Sequence, residues 1–125
     1  MAKHILVMDD EPYMLASIKE VLEKEGYRVS GFGTGQKTID ALKSRKFDLV
    51  ILDVMMPDIS GWDVFNHIRQ TNSKQKVIFV SVLAISPERK KELETYGPAE
   101  YITKPFDREI LVNRVKMILT DKKKM

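Results

Sequence analysis

Apolar residues recur along this chain in two alternating rhythms. His4, Ile5, Leu6, Val7 and Met8 form a continuous run, and Leu15, Ile18 and Leu22 then follow at helical spacing up to Gly26. The same alternation repeats. Residues 27–32 read as a second strand, residues 36–43 as a short helix with Ile39 and Leu42 inward, and residues 49–52 as a buried third strand. Ser60 can cap a helix carrying Val64, Phe65 and Ile68, and residues 77–80 form a fourth strand. Ser86 followed by Pro87 and Glu88 marks another helix start, which Gly97 ends. Residues 101–103 are a short fifth strand, and Asp107 caps a last helix with Leu111, Val115 and Ile118 facing in. Strands that are apolar throughout are buried on both faces, so the pattern predicts a doubly wound α/β fold with a parallel sheet between helices.

At 125 residues the chain suits one domain with a single core. It has no cysteine, which excludes disulfides, thiolate metal sites and a catalytic thiol. No apolar run approaches the roughly 18 residues that span a bilayer, and Ile5 to Met8 is too short for a signal peptide, so a soluble cytoplasmic protein is expected. The net charge of +3 comes from the end: without Lys122, Lys123 and Lys124 the body is neutral. Such a tail reads as a solvated terminus or the start of a linker rather than a nucleic-acid site, because no basic stripe with interleaved aromatics accompanies it.

In a doubly wound sheet, ligands bind beyond the carboxyl ends of the strands. There the first strand runs into Asp9, Asp10 and Glu11, the third into Asp53, the fourth into Ser81 and the fifth into Lys104 and Pro105. Carboxylates converging at one edge repel one another unless a cation compensates. Oxygen donors without His or Cys suit a hard divalent ion, Mg²⁺ above all, completed by waters and a backbone carbonyl. Asp53, at the end of an apolar strand, is expected to be displayed rather than buried. Each residue alone has a plainer reading: Asp10 and Glu11 as helix-start acids, Asp53 as a turn residue, Ser81 as a strand-end hydroxyl bonding its own backbone, Lys104 as a solvated cation.

The runs Val7-Met8-Asp9-Asp10-Glu11-Pro12, Leu52-Asp53-Val54-Met55-Met56-Pro57-Asp58 with Ser60-Gly61, Val80-Ser81, and Tyr101-Ile102-Thr103-Lys104-Pro105-Phe106 resemble the receiver domains of two-component response regulators (CheY-like) in order and spacing, over essentially the whole chain. The resemblance implies a five-stranded parallel sheet of order 2-1-3-4-5 with five helices, residues 1–121 being the receiver domain and 122–125 a basic tail or linker start. It implies Asp53 as phosphoacceptor and Mg²⁺, or Mn²⁺ in its place, held by Asp9, Asp10, Asp53 and the Met55 carbonyl. The same resemblance implies that Ser81 and Lys104 contact the phosphoryl group. By the same resemblance, Ser81 and Tyr101 would form a switch that reshapes the face of helix four, strand five and helix five. The implied partners are a sensor histidine kinase or histidine phosphotransfer protein, and a downstream protein or carboxyl-terminal output domain. The domain would catalyse its own phosphorylation and dephosphorylation, with no external substrate, nucleic acid or membrane. Pro105 is a candidate for a cis peptide bond, while Pro57 and Gly61 read as loop geometry and Trp62 as packing.

Alternatives remain. A phosphatase with an aspartyl nucleophile typically carries a second Asp two positions on, where this chain has Met55. A flavodoxin-like carrier needs a hydroxyl- and glycine-rich phosphate loop after the first strand, where Asp9, Asp10 and Glu11 would repel a flavin phosphate. A phosphorelay intermediate, or a degenerate receiver acting only as a binding module, stays open. Receivers of one large transcription-factor branch dimerise through charge pairs on helix four, strand five and helix five. Lys90 and Arg114 keep the basic positions here, but Ile110 and Ala99 replace acids, Glu100 alone remains and Pro98 alters the loop. The expectation is a monomer when unphosphorylated, no symmetric dimer of that type, and a partly apolar face of Tyr101, Ile110 and Met117. Around the phosphoryl group, Met55, Val82 and Leu83 offer no polar group to hold a hydrolytic water, so slow self-dephosphorylation is expected.

Overall fold

A computed structural model describes residues 2–120, so the tail of Lys122, Lys123 and Lys124 lies outside the described residues. Strands and helices alternate: β1 (His4–Met8), α1 (Pro12–Lys24), β2 (Arg28–Phe32), α2 (Gly35–Ser44), β3 (Leu49–Asp53), α3 (Gly61–Thr71), β4 (Val77–Ser81), α4 (Pro87–Thr95), β5 (Ala99–Thr103) and α5 (Arg108–Thr120). All strand pairs are parallel, in the order β2-β1-β3-β4-β5. The expected β5 gains Ala99 and Glu100, because both pair with β4. No helix among the described residues is long and apolar enough to cross a membrane.

Side-chain alternation divides the core into two layers. Leu6, Met8, Val50, Leu52, Val77 and Phe79 face α2, α3 and α4, where Ala41, Val64, Phe65, Ile68 and Leu93 meet them. Ile5, Val7, Leu49, Ile51, Ile78 and Val80 face α1 and α5, packing on Ile18, Leu22, Leu111, Val115 and Ile118. Phe79 is wholly buried at the centre of the first layer, its ring 4.6 Å from Trp62 and 4.9 Å from Phe65. Truncating such a ring costs about 3–5 kcal/mol.

Local chemistry starts the helices where the caps stand. Glu11 accepts from the Tyr13 and Met14 amides ahead of Pro12. Thr34, Ser60, Ser86 and Asp107 cap the other four, accepting from Lys37, Asp63, Arg89 and Ile110. α4 is the least anchored helix, with Leu93 its only buried residue. That leaves it the element freest to shift.

Candidate functional site

The sheet brings the ends of β1, β3, β4 and β5 together on one edge. Asp9 follows β1 and is 2% exposed, its backbone N–H tied to the Phe32 carbonyl at 3.1 Å and its Oδ1 accepting from Glu11 N–H at 2.9 Å. Asp10 beside it is exposed. Asp9, Asp10 and Asp53 each place one carboxylate oxygen within 4.8 Å of the others. Three hard oxygens that close fit a divalent cation of the Mg²⁺ class, with room in the shell for a carbonyl and waters.

Asp53 departs from the expectation that it is displayed. It is 7% exposed, because β3 continues through it and pairs it with Val80 instead of ending at Leu52. Its Oδ1 accepts from Met55 N–H at 3.1 Å, and its Oδ2 lies 3.4 Å from Lys104 Nζ. Burial pushes the Asp53 carboxyl up, against the opposing pull of the Met55 N–H and the Lys104 charge. Gly61 is required here, since a Cβ at that position would collide with the Asp53 carbonyl oxygen.

Lys104 sits across the carboxylates. Its ammonium donates to Asp9 Oδ2 at 3.0 Å, and only 13% of the side chain is exposed. Burial works against its charge, but hydrogen bonds and attraction from Asp9 and Asp53 raise its pKa. The Lys104-Pro105 peptide bond is cis, and the Lys104 backbone N–H donates to the Ser81 carbonyl at 2.7 Å.

Ser81 ends β4 and is 1% exposed; its hydroxyl accepts from Leu83 N–H at 3.1 Å and so bonds its own loop. Tyr101 corrects a second expectation. Instead of lining an exposed apolar face it is 7% exposed, its ring 6.3 Å from Phe79 and its hydroxyl donating to the Leu83 carbonyl at 2.6 Å. A phenol that finds a backbone acceptor can be buried without penalty, whereas Ile110 and Met117, projecting from α5, stay exposed. Glu100 is committed within the chain, to Arg114 at 3.4 Å. Met55, Val82 and Leu83 are each more than half exposed.

Sequence reasoning passed over Asp58 as a contributor. Its carboxylate reaches across to the start of α2, accepting from Gly35 and Gln36 N–H at 3.0 and 3.1 Å. Backbone N–H donors of Gly35, Ile59 and Gln36 hold its carboxyl below the usual range. A lone acid in the mostly apolar stretch Met55-Met56-Pro57-Asp58-Ile59 carries no linear signal for a contact with another helix.

The model of the response regulator receiver domain matches residues 5–116. The probable transcriptional regulatory protein TcrX of Mycobacterium tuberculosis is 36% identical over 92% of this chain and 49% of its own length. The uncharacterized transcriptional regulatory protein YkoG of Bacillus subtilis is 35% identical over 93% of this chain and 50% of its own. The chain thus spans about half the length of these curated relatives. Among solved structures, the response regulator TrrA of Thermotoga maritima, in complex with Mg(2+)-BeF, superposes with a TM-score of 0.79 at 34% identity, covering 93% of this chain and 98% of that one. Motifs, sheet order and the acidic edge agree with these relatives: the chain belongs to the response regulator receiver domain family and is a receiver of two-component signalling.

Proposed function

We propose that Asp53 is the phosphoacceptor, and that Asp9, Asp10, Asp53 and the Met55 main-chain carbonyl hold Mg²⁺ for the transfer. The observation that carries this reading is the meeting of three carboxylate oxygens within 4.8 Å under the Lys104 ammonium. An Asp53 carboxylate oxygen attacks phosphorus, the O–P bond forms, and the N–P bond to a phosphohistidine of the donor breaks, returning the electron pair to the imidazole. The ion, when bound, neutralises charge on the transferred oxygens. Lys104 supplies the protein's own positive charge on another side, and the fixed β3 terminus orients the nucleophile. With Asp53 buried, one oxygen is held by Met55 N–H and Lys104 must yield part of its contact as phosphorus approaches.

The switch in this reading runs through Ser81. Turning its hydroxyl toward a phosphoryl oxygen gives up the Leu83 N–H, which shifts the β4–α4 loop that Tyr101 also holds. Tyr101 occupies the inward position in this structure, so phosphorylation would act by favouring an arrangement already within reach rather than by creating one. The face of α4, β5 and α5 then presents Ile110 and Met117 to a downstream protein or output domain. In this reading the receiver unit takes in residues 1–121, the unphosphorylated domain is a monomer, and it works in the cytoplasm. Met55, Val82 and Leu83 bound the phosphoryl group with apolar surface and slow its hydrolysis.

Incubation with acetyl phosphate and Mg²⁺, followed by intact mass measurement, tests the assignment. The parent should gain one phosphoryl group, and chelation of the metal or Asp53→Asn should abolish the gain. A phosphorylated Asp53→Asn at a comparable level would remove Asp53 from the mechanism.

A further inference from the structure

The loop between β3 and α3 carries Met55, and it is held at both ends. Near β3, Met55 N–H donates to Asp53 Oδ1 at 3.1 Å, and Gly61 N–H closes on the Val54 carbonyl at 3.0 Å. At its far side the holder is Asp58. One carboxylate oxygen takes Gly35 N–H at 3.0 Å and the other takes Gln36 N–H at 3.1 Å, the first two residues of α2. Ile59 follows and seats on the same spot, where a Cβ added to Gly35 would come within 2.7 Å of the Ile59 side chain. Thr34 already caps α2 through Lys37 N–H. The start of α2 therefore has a local cap and a second, delivered from 22 residues away in the sequence.

A second cap on one helix terminus adds stability that a local residue could supply as well. What Asp58 supplies besides is a hydrogen-bonded fixed point for the loop, beside the packing of Ile59 on Gly35. Met55, Met56 and Pro57 are the residues left between the two anchorages, a span too short to move its carbonyls independently. We propose that Asp58 is a positioning residue of the metal site: by clamping the loop to α2 it holds the Met55 carbonyl where it completes a shell begun by Asp9, Asp10 and Asp53. The inference rests on the reading that the Met55 carbonyl is a metal ligand. With the clamp gone, ion binding must order the loop itself, and the lost entropy appears as weaker affinity. Supporting contacts around metal ligands carry roughly 10- to 100-fold in affinity, and a clamp acting through the backbone belongs at the lower end.

Calorimetric titration of the whole chain with Mg²⁺ tests this in the parent, Asp58→Ala, Asp58→Asn and Thr34→Ala. Asp58→Ala should weaken Mg²⁺ binding about tenfold, and Asp58→Asn, which keeps one acceptor, should weaken it less. Thr34→Ala removes a cap from the same helix start but leaves the loop clamped, so it should lose stability and keep the parent's Mg²⁺ affinity. At saturating Mg²⁺ the rate of phosphoryl uptake by Asp58→Ala should return to the parent's. Equal affinity in the parent and Asp58→Ala overturns the proposal. So does an equal loss in Asp58→Asn and Asp58→Ala, which assigns the effect to charge, or an equal loss in Thr34→Ala, which assigns it to α2. If Asp58→Ala does not fold, Asp58→Asn against the parent decides. A parent that binds no Mg²⁺ overturns the metal reading itself, a failure visible before any variant is compared.

Discussion

Lys104 Nζ donates to Asp9 Oδ2 at 3.0 Å, a shorter contact than the 3.4 Å to Asp53 Oδ2. The lysine is thus primarily a neutraliser of Asp9, standing where it competes with a cation for the same carboxylates. Lys104→Met should therefore lower the stability of the metal-free protein by about 3–5 kcal/mol, the usual cost of breaking a buried ion pair by removing one partner. It should also bind Mg²⁺ several-fold more tightly, because the competing charge is gone, while taking up phosphoryl more slowly. Thermal denaturation with and without Mg²⁺ checks the first pair of effects. Unchanged or weaker Mg²⁺ binding would show that the ammonium does not compete for the site.

The raised carboxyl of Asp53 sets a pH dependence of stability. Burial favours its neutral form in the folded state, so as pH rises from the ordinary carboxylate range through the raised folded value, the unfolded state releases its proton first and stability falls. Above that window the penalty is fully present. Asp53→Asn removes it and should raise the melting temperature of the metal-free protein at neutral pH. The gain should vanish below the carboxylate range. A gain independent of pH, or a loss at neutral pH, would contradict the electrostatic origin.

Sheet architecture was legible in the residues because continuous apolar strands and capped helices are written locally, as with Ser86 before Pro87 and Asp107 before α5. Parallel pairing also foretells which strand ends meet, so the sequence alone groups Asp9, Asp10, Asp53 and Lys104. Burial depth was not legible. Asp53 lies inside the edge because one more pair forms with β4, and a single extra rung has no signature in composition. Tyr101 went the same way: its inward position depends on the Leu83 carbonyl, an acceptor that every residue carries and that only the fold brings near.

That hydrogen bond makes a prediction for the β4–α4 loop. Tyr101→Phe leaves the ring in place but frees the Leu83 carbonyl, at a cost of about 1 kcal/mol. Amide hydrogen exchange should quicken across residues 82–85, since α4 has little else to hold the loop. Exchange at the parent's rate would mean the contact does not restrain it.

The side chains at the mouth of the site make another. Met55 and Leu83 are 55% and 51% exposed and cannot hydrogen-bond a water in line with phosphorus. Phosphate loss from labelled protein in Mg²⁺, after removal of the donor, should be slow in the parent and faster in Met55→Asn combined with Leu83→Glu. A parent that resets within seconds, or a double variant no faster, would show that these side chains do not set the lifetime.

In the proposed reaction the phosphoryl group goes to Asp53 and not to its neighbours Asp9 or Asp10. Borohydride reduction converts an aspartyl phosphate to homoserine, which marks the modified residue permanently. After incubation with acetyl phosphate and Mg²⁺, reduction and peptide sequencing by mass spectrometry, homoserine should stand at position 53 alone and disappear when the metal is chelated. Homoserine at position 9 or 10, or at none of the three in protein that has bound Mg²⁺, would contradict the account.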